Sequence, residues 1–400
     1  MTDVCLILEG TYPYKTGGVT TWIRTLLQGL PDISFSVAHL YYGPKPSRMM
    51  VPIPANLTEI SLIALNEKER TVSMDGLVEL LPEARVYHAL STGFAGLLGT
   101  EIKEQQGKPF ILTEHGIYWH EVSLGVDELE CGFKIVKTDR GDLNLGLTWE
   151  KWHQTFQDLA RRAYAVADVI TTVCAYNQSL QRSLGALGEK SQIIPNGVVA
   201  PRNGEASRGK KSGKRIALVG RVTPIKDVKT FIRSCALVKE RIPDAEFLII
   251  GPSDHDPSYT AECRELAADL HLDSLSFTGE VEMETHYPAI DIMVLASVSE
   301  AQPYAVLESF AHGIPVVVTD VGGCPELVNG NGSSGAAAGI LCPVGDHLRI
   351  ADAITELATN RSLYDRCAEE GLKRAKGLYS QEAVIASYRR IYERSLNREE

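Results

Sequence analysis

Short, nearly continuous apolar runs recur along this chain, separated by stretches of helix length whose apolar residues fall three and four apart. In the first half the runs are Val4–Leu8, Phe35–Tyr41, Val86–Leu90, Phe110–Thr113, Val169–Val173 and Gln192–Ile194. The second half repeats the scheme with Ile216–Gly220, Phe247–Gly251, Leu275–Thr278, Ile292–Ala296, Pro315–Thr319 and Ile340–Cys342. Runs of this kind are strands buried on both faces, so the pattern predicts two doubly wound α/β domains with parallel sheets. Between them, Asn203–Lys214 is small, polar and without apolar period, and reads as the linker. The expected division is an N-terminal domain over 1–200, a second over 215–380 and a final helix over 381–400. That helix is marked by Val384, Ala386, Tyr388, Ile391 and Tyr392. Residues 120–148 carry little periodicity and are expected to form a long loop or lid on the acceptor side.

Composition narrows the classes. With 400 residues, 44% hydrophobic and 23% charged, the chain can build two ordinary globular cores. A net charge of −11 argues against a nucleic-acid surface. No apolar run is long enough to cross a bilayer, and Met1-Thr2-Asp3 leads straight into a strand, so a cytoplasmic protein without a signal peptide is expected. The eight cysteines lack CxxC spacing and read as reduced core residues, not as a zinc site or disulfide frame.

The candidate chemistry lies where strands end. After Ile292–Ala296 comes Ser299-Glu300-Ala301-Gln302-Pro303-Tyr304-Ala305-Val306-Leu307-Glu308, with two carboxylates eight positions apart and a helix beginning near Pro303. Open α/β sheets bind ligands at the carboxyl ends of strands, and a helix N-terminus attracts anions. A carboxylate beside such an end suits a ligand carrying both hydroxyls and phosphates. Arg221 and Lys226 follow Ile216–Gly220 and could neutralise a diphosphate, with Asp227 as the cap of the next helix. Gly17-Gly18 precedes the stripe Val19, Ile23, Leu26, Leu27 and Leu30. It fits either an anion approaching the backbone or a plain tight turn, and matches neither a P-loop nor a GxGxxG fingerprint. His115, next to Gly116 at a strand end, is a functional candidate; His88, in a similar place, reads as a structural hydrogen-bonder. Asp254-His255-Asp256 reads as turn and helix-entry chemistry rather than a metal site, and Asn196-Gly197 as a turn or a minor ligand contact.

Taken in order, the Gly-Gly loop, Thr113-Glu114-His115-Gly116, Pro195-Asn196-Gly197-Val198, Arg221…Lys226, Glu300…Glu308 and Val321-Gly322-Gly323 resemble the retaining glycosyltransferases of family 4. Finer strings, among them Leu8–Tyr14 and Gly251-Pro252-Ser253-Asp254, are similar to the branch serving Pel exopolysaccharide synthesis. The resemblance implies the GT-B fold, two Rossmann-like domains facing across a cleft. It implies catalytic roles for His115, Arg221, Lys226 and Glu300, and donor contacts from Gly17, Gly18, Asn196, Gln302, Pro303, Tyr304, Ala305 and Glu308. Arg221 and Lys226 would hold the diphosphate, Glu308 the ribose and Glu300 the sugar hydroxyls. The implied reaction moves a hexose from a nucleotide-sugar, with UDP the expected base, to a polysaccharide or glycoconjugate. No metal or other cofactor is expected, and membrane association would come through a synthase partner. A GT-B sugar epimerase, or a nucleotide-sugar-binding subunit of such a synthase, is the alternative.

Overall fold

The computed structural model describes residues 1–65, 74–126, 129, 131–133, 135, 148–201, 213–330 and 336–397. The chain divides into two compact units, one of Met1–Pro195 with Val384–Glu400, the other Asn196–Ala383.

The first unit holds a seven-stranded sheet: β1 Thr2–Glu9, β2 Phe35–Tyr41, β3 Leu57–Ala64, β4 Ala84–Ala89, β5 Phe110–Glu114, β6 Val169–Thr172 and β7 Ser191–Ile193. All neighbours pair parallel in the order β3-β2-β1-β4-β5-β6-β7. The edge strand β3 has no counterpart among the runs read from sequence. Thr58, Glu59 and Ser61 interrupt its apolar residues, because an edge strand needs less burial than a central one. The expected loop over 120–148 is also corrected. Tyr118–Ser123 is a helix, with Tyr118, Trp119 and Val122 buried, and most of the following residues, to 147, lie outside those described. Its aromatic packing against Phe156 of the helix Trp149–Val166 holds a turn of helix too short to register as a period.

The second unit holds six parallel strands: β8 Arg215–Val219, β9 Glu246–Ile250, β10 Leu275–Gly279, β11 Ile292–Leu295, β12 Val316–Thr319 and β13 Gly339–Cys342. They run in the order β10-β9-β8-β11-β12-β13. Successive residues alternate between two cores. Ile292 and Val294 pack with Ile216, Leu218 and Ile249, while Met293 and Leu295 pack with Ala217, Val219 and Val318. Both faces are thus covered, which is why the strands read as unbroken apolar runs. Residues 203–212 of the expected linker lie outside the described residues.

In both sheets the order reverses beside the first strand of the unit, between β1 and β4 and between β8 and β11. This is the topological switch point at which such sheets open a crevice outside their carboxyl ends.

All eight cysteines are buried and free, as the sequence suggested. Asp227 caps the helix Val228–Arg241 through Thr230 N–H at 3.3 Å, and Asp256 caps Pro257–Asp269 through Tyr259 N–H at 2.9 Å. The Asp254–Asp256 segment is therefore helix-entry chemistry. No helix among the described residues is long and apolar enough to cross a membrane.

Candidate functional site

In the second unit, the two loops flanking the switch point carry Arg221 and Lys226 after β8 and Glu300 after β11. The β8 loop turns through a 3-10 segment, Pro224–Lys226, and Val298 N–H donates to Ile225 C=O at 2.9 Å, tying the loops together. Across that tie the Lys226 ammonium bonds to Glu300 Oε1. Their side chains are 19% and 11% exposed, so the pair is shielded yet reachable. Ser297 Oγ donates to the same Glu300 oxygen at 2.7 Å. Ser297 is itself fixed, its carbonyl accepting from Thr319 Oγ1 at 2.6 Å. Arg221 is exposed and makes no ion pair with a described residue.

The loop carrying Glu300 is also held from behind. Gly323 N–H donates to Ala301 C=O at 2.9 Å. A Cβ at Gly322, whose φ is 51°, would lie 1.5 Å from the Glu300 carbonyl oxygen. Only glycine allows the β12 loop to pass this close, which accounts for Gly322.

Pro303 stands at the N-cap of the helix Tyr304–Ala311, and no side chain caps this end. Its first turn is left to other acceptors, the arrangement that favours an anion. Glu308 lies one turn in. Tyr287 OH donates to Glu308 Oε2 at 2.6 Å, and the Tyr287 ring stacks on His312, centroids 4.7 Å apart. Burial pushes the Glu308 carboxyl above its usual range, against the opposing pull of the Tyr287 hydrogen bond. Asn196 and Gln302 hold each other: Asn196 N–H donates to Gln302 Oε1 at 2.5 Å, and Asn196 Nδ2 to the Gln302 carbonyl at 2.9 Å. The Gln302 side-chain oxygen is thereby committed within the unit.

In the first unit, Gly17 is the N-cap of the helix Gly18–Gly29, with φ 155°, and open space surrounds the position of an added Cβ. The conformation, rather than crowding, calls for glycine there. Trp22 of that helix meets His115 edge-on at 4.9 Å and Tyr388 at 5.1 Å, so His115 packs against the helix that follows Gly17. His115 Nε2 is buried without a hydrogen-bond partner among the described residues, and burial lowers the imidazole to about 4, leaving it neutral. His88 is structural: Tyr392 OH and Thr113 Oγ1 each lie 2.7 Å from its ring nitrogens. Glu114, inside the same motif as His115, is equally structural, bonded by Thr92, Tyr164 and Gln181.

Sequence reading missed Ser297 and Tyr287. Ser297 is three residues from Glu300 and looks like any strand-end serine. Tyr287 is 21 residues from Glu308, with no local pattern linking them. Among the described residues no group of three or more His, Cys, Asp or Glu side chains could hold a metal ion.

Comparison with known proteins agrees with this architecture. Residues 213–360 match the model of the "Glycosyl transferases group 1" family, and 2–76 and 70–189 match a "Domain of unknown function (DUF3492)". The chain is 27% identical over 184 residues to N-acetyl-alpha-D-glucosaminyl L-malate synthase of Bacillus anthracis, covering 46% of each chain. It is 26% identical over 253 residues to a GDP-mannose-dependent alpha-(1-6)-phosphatidylinositol monomannoside mannosyltransferase of Mycobacterium tuberculosis, covering 58% of this chain and 61% of that one. The chain thus spans about half the length of the curated relatives it matches. In structure it is similar to sucrose-phosphate synthase of Thermosynechococcus elongatus, with TM-score 0.73, 19% identity and coverage of 98% and 99%. It is also similar to Anabaena HepE in complex with UDP, with TM-score 0.74, 15% identity and coverage of 98% and 100%. The fold is GT-B, with two Rossmann-like parallel sheets, and residues 213–360 match the glycosyl transferases group 1 model.

Proposed function

We propose that the protein is a retaining glycosyltransferase that moves a hexose from a nucleoside-diphosphate sugar to a hydroxyl of a saccharide or glycoconjugate. The observation that supports this most is the meeting of Lys226 and Glu300 from the two switch-point loops, beside a helix end that no side chain caps. A cation and a carboxylate in contact match the two halves of such a donor, a diphosphate and a hydroxyl-rich sugar. Arg221 and Lys226 take the diphosphate, Glu300 the sugar hydroxyls and Glu308 the ribose. Gln302, Pro303, Tyr304 and Ala305 line the helix entry; Asn196 braces it.

Negative charge grows on the diphosphate as the glycosidic bond breaks. Lys226, Arg221 and the helix N-terminus stabilise it electrostatically, without reorganising solvent. The incoming hydroxyl attacks from the face the diphosphate leaves, and its proton passes to that diphosphate. The first unit, with Gly17, Gly18 and neutral His115, takes the acceptor side. UDP is the expected nucleotide, in line with the UDP and UDP-glucose complexes of HepE; the mannosyltransferase relative is named for a GDP donor. Within this reading the strings Leu8–Tyr14 and Glu300–Glu308 favour PelF-like exopolysaccharide synthesis.

The test is a panel of nucleotide-sugars with the purified protein, followed by mass and anomeric analysis of products. Transfer or slow donor hydrolysis with retained configuration supports the proposal. Conversion of the sugar without acceptor identifies an epimerase. Nucleotide binding with no glycoside and no hydrolysis over long incubation identifies a binding subunit.

A further inference from the structure

Glu300 and Glu308 share a construction. Each takes a hydroxyl hydrogen bond on one carboxylate oxygen, Glu300 Oε1 from Ser297 and Glu308 Oε2 from Tyr287. Glu300 Oε2 and Glu308 Oε1 take no partner from the described residues. A carboxylate tethered through one oxygen cannot rotate freely, so the tether decides which oxygen faces a ligand.

Tyr287 is built for this. It sits in the 3-10 turn Tyr287–Ala289, 2% exposed, with its ring stacked on His312 at an interplanar angle of 20°. His312 Nδ1 lies 2.8 Å from the Glu308 carbonyl, so the ring that supports Tyr287 is anchored to the residue Tyr287 holds. Burial keeps the phenol protonated well above its ordinary range, so it remains a donor at any working pH. A phenylalanine would stack as well, but it would leave the buried Glu308 carboxyl without its hydroxyl partner.

We propose that Tyr287 is a positioning residue for the nucleotide subsite: by occupying Glu308 Oε2 it presents Oε1 as the acceptor for a ribose hydroxyl. This rests on the donor reading above, and it predicts ribose discrimination that depends on a hydroxyl 21 residues from the carboxylate.

The test measures binding by calorimetry of UDP, GDP and ADP to the full chain, then of the 2′-deoxy and 3′-deoxy forms of the tightest binder. Wild type should lose about tenfold in Kd with at least one deoxy form, the scale of a hydrogen bond to a charged group. Tyr287→Phe should bind the parent nucleotide about tenfold more weakly, and its deoxy penalty should fall below about twofold. Tyr287→Met serves if the phenylalanine variant melts early. Glu308→Gln combined with Tyr287→Phe should be no weaker than Glu308→Gln alone. A Tyr287→Phe protein that keeps wild-type affinity and the full deoxy penalty overturns this inference while leaving the donor reading intact. A wild type that binds a nucleotide with no deoxy penalty also overturns it. A wild type that binds none of the three overturns the donor reading, and this inference with it.

Discussion

Lys226 and Glu300, 74 positions apart, are bonded through the lysine ammonium and Glu300 Oε1, on the two loops that flank the switch point of the second sheet. Lys226 and Glu300 therefore neutralise each other, and on the proposed donor reading a diphosphate would draw Lys226 away from Glu300 or share it. Such a pair holds the loops in register at little net gain, because desolvation offsets much of the attraction.

Removing one partner is costlier than removing both. Lys226→Ala should lower turnover by roughly two to three decades, the scale of one lost charge-stabilising contact, about 3 kcal/mol. It should also destabilise the second unit, because the Glu300 carboxylate is left shielded with only Ser297 beside it. Lys226→Met with Glu300→Gln should regain most of that stability without regaining activity. Urea unfolding and donor turnover check the two arms. Equal stability losses in the single and double variants would contradict the coupling.

Gly322→Ala tests how closely the β12 loop must pass the site. Its Cβ would collide with backbone, the Glu300 carbonyl oxygen, at a positive φ that alanine also disfavours. A loss of about 2–4 kcal/mol is expected, together with a displaced Glu300 and reduced donor affinity. Wild-type unfolding midpoint and affinity would show that the loop can move aside freely.

The C-terminal helix Gln381–Leu396 is part of the first unit's core through Tyr388 and Tyr392, both fully buried. Tyr392→Phe leaves a His88 nitrogen without its 2.7 Å partner and should cost about 1–3 kcal/mol. Tyr388→Ala removes a ring packed on Trp22 and should cost about 3–5 kcal/mol. Denaturant unfolding read by tryptophan fluorescence reports both.

Acid sensitivity should arise partly in the first unit. Burial lowers His88 to about 3, and His39 and His115 to about 4, from 6.5. A depressed histidine contributes stability that is present above pH 6.5 and is lost as pH falls toward the folded value. Glu9 and Glu114, raised by burial, act oppositely: their contribution is full below 4.5 and lost as pH rises through their folded values. A difference measurement separates the two. His88→Asn should be less stable than wild type at pH 7, with the gap closing by about 1.4 kcal/mol per pH unit below 6.5. A gap that stays constant from pH 7 to 4.5 would refute a neutral, buried His88.

Twelve of the strands were legible as apolar runs because sheets covered on both faces leave no room for polar alternation. β3 was not, since an edge strand tolerates Thr58 and Glu59 facing out. The short helix Tyr118–Ser123 was also missed, because six residues cannot display a period.

The chain's local chemistry specified the fold class, the caps at Asp227 and Asp256, the structural His88 and the identities of the candidate acids and cations. These depend on periodicity and near neighbours, which a linear string records. Which residues touch was decided in three dimensions. The hold of Tyr287 on Glu308 and the clasp between Asn196 and Gln302 join residues far apart in the chain, and the bond between Lys226 and Glu300 joins loops brought together by strand order. A crossover places β11 beside β8 rather than beside β10, and no spacing along the chain encodes that adjacency.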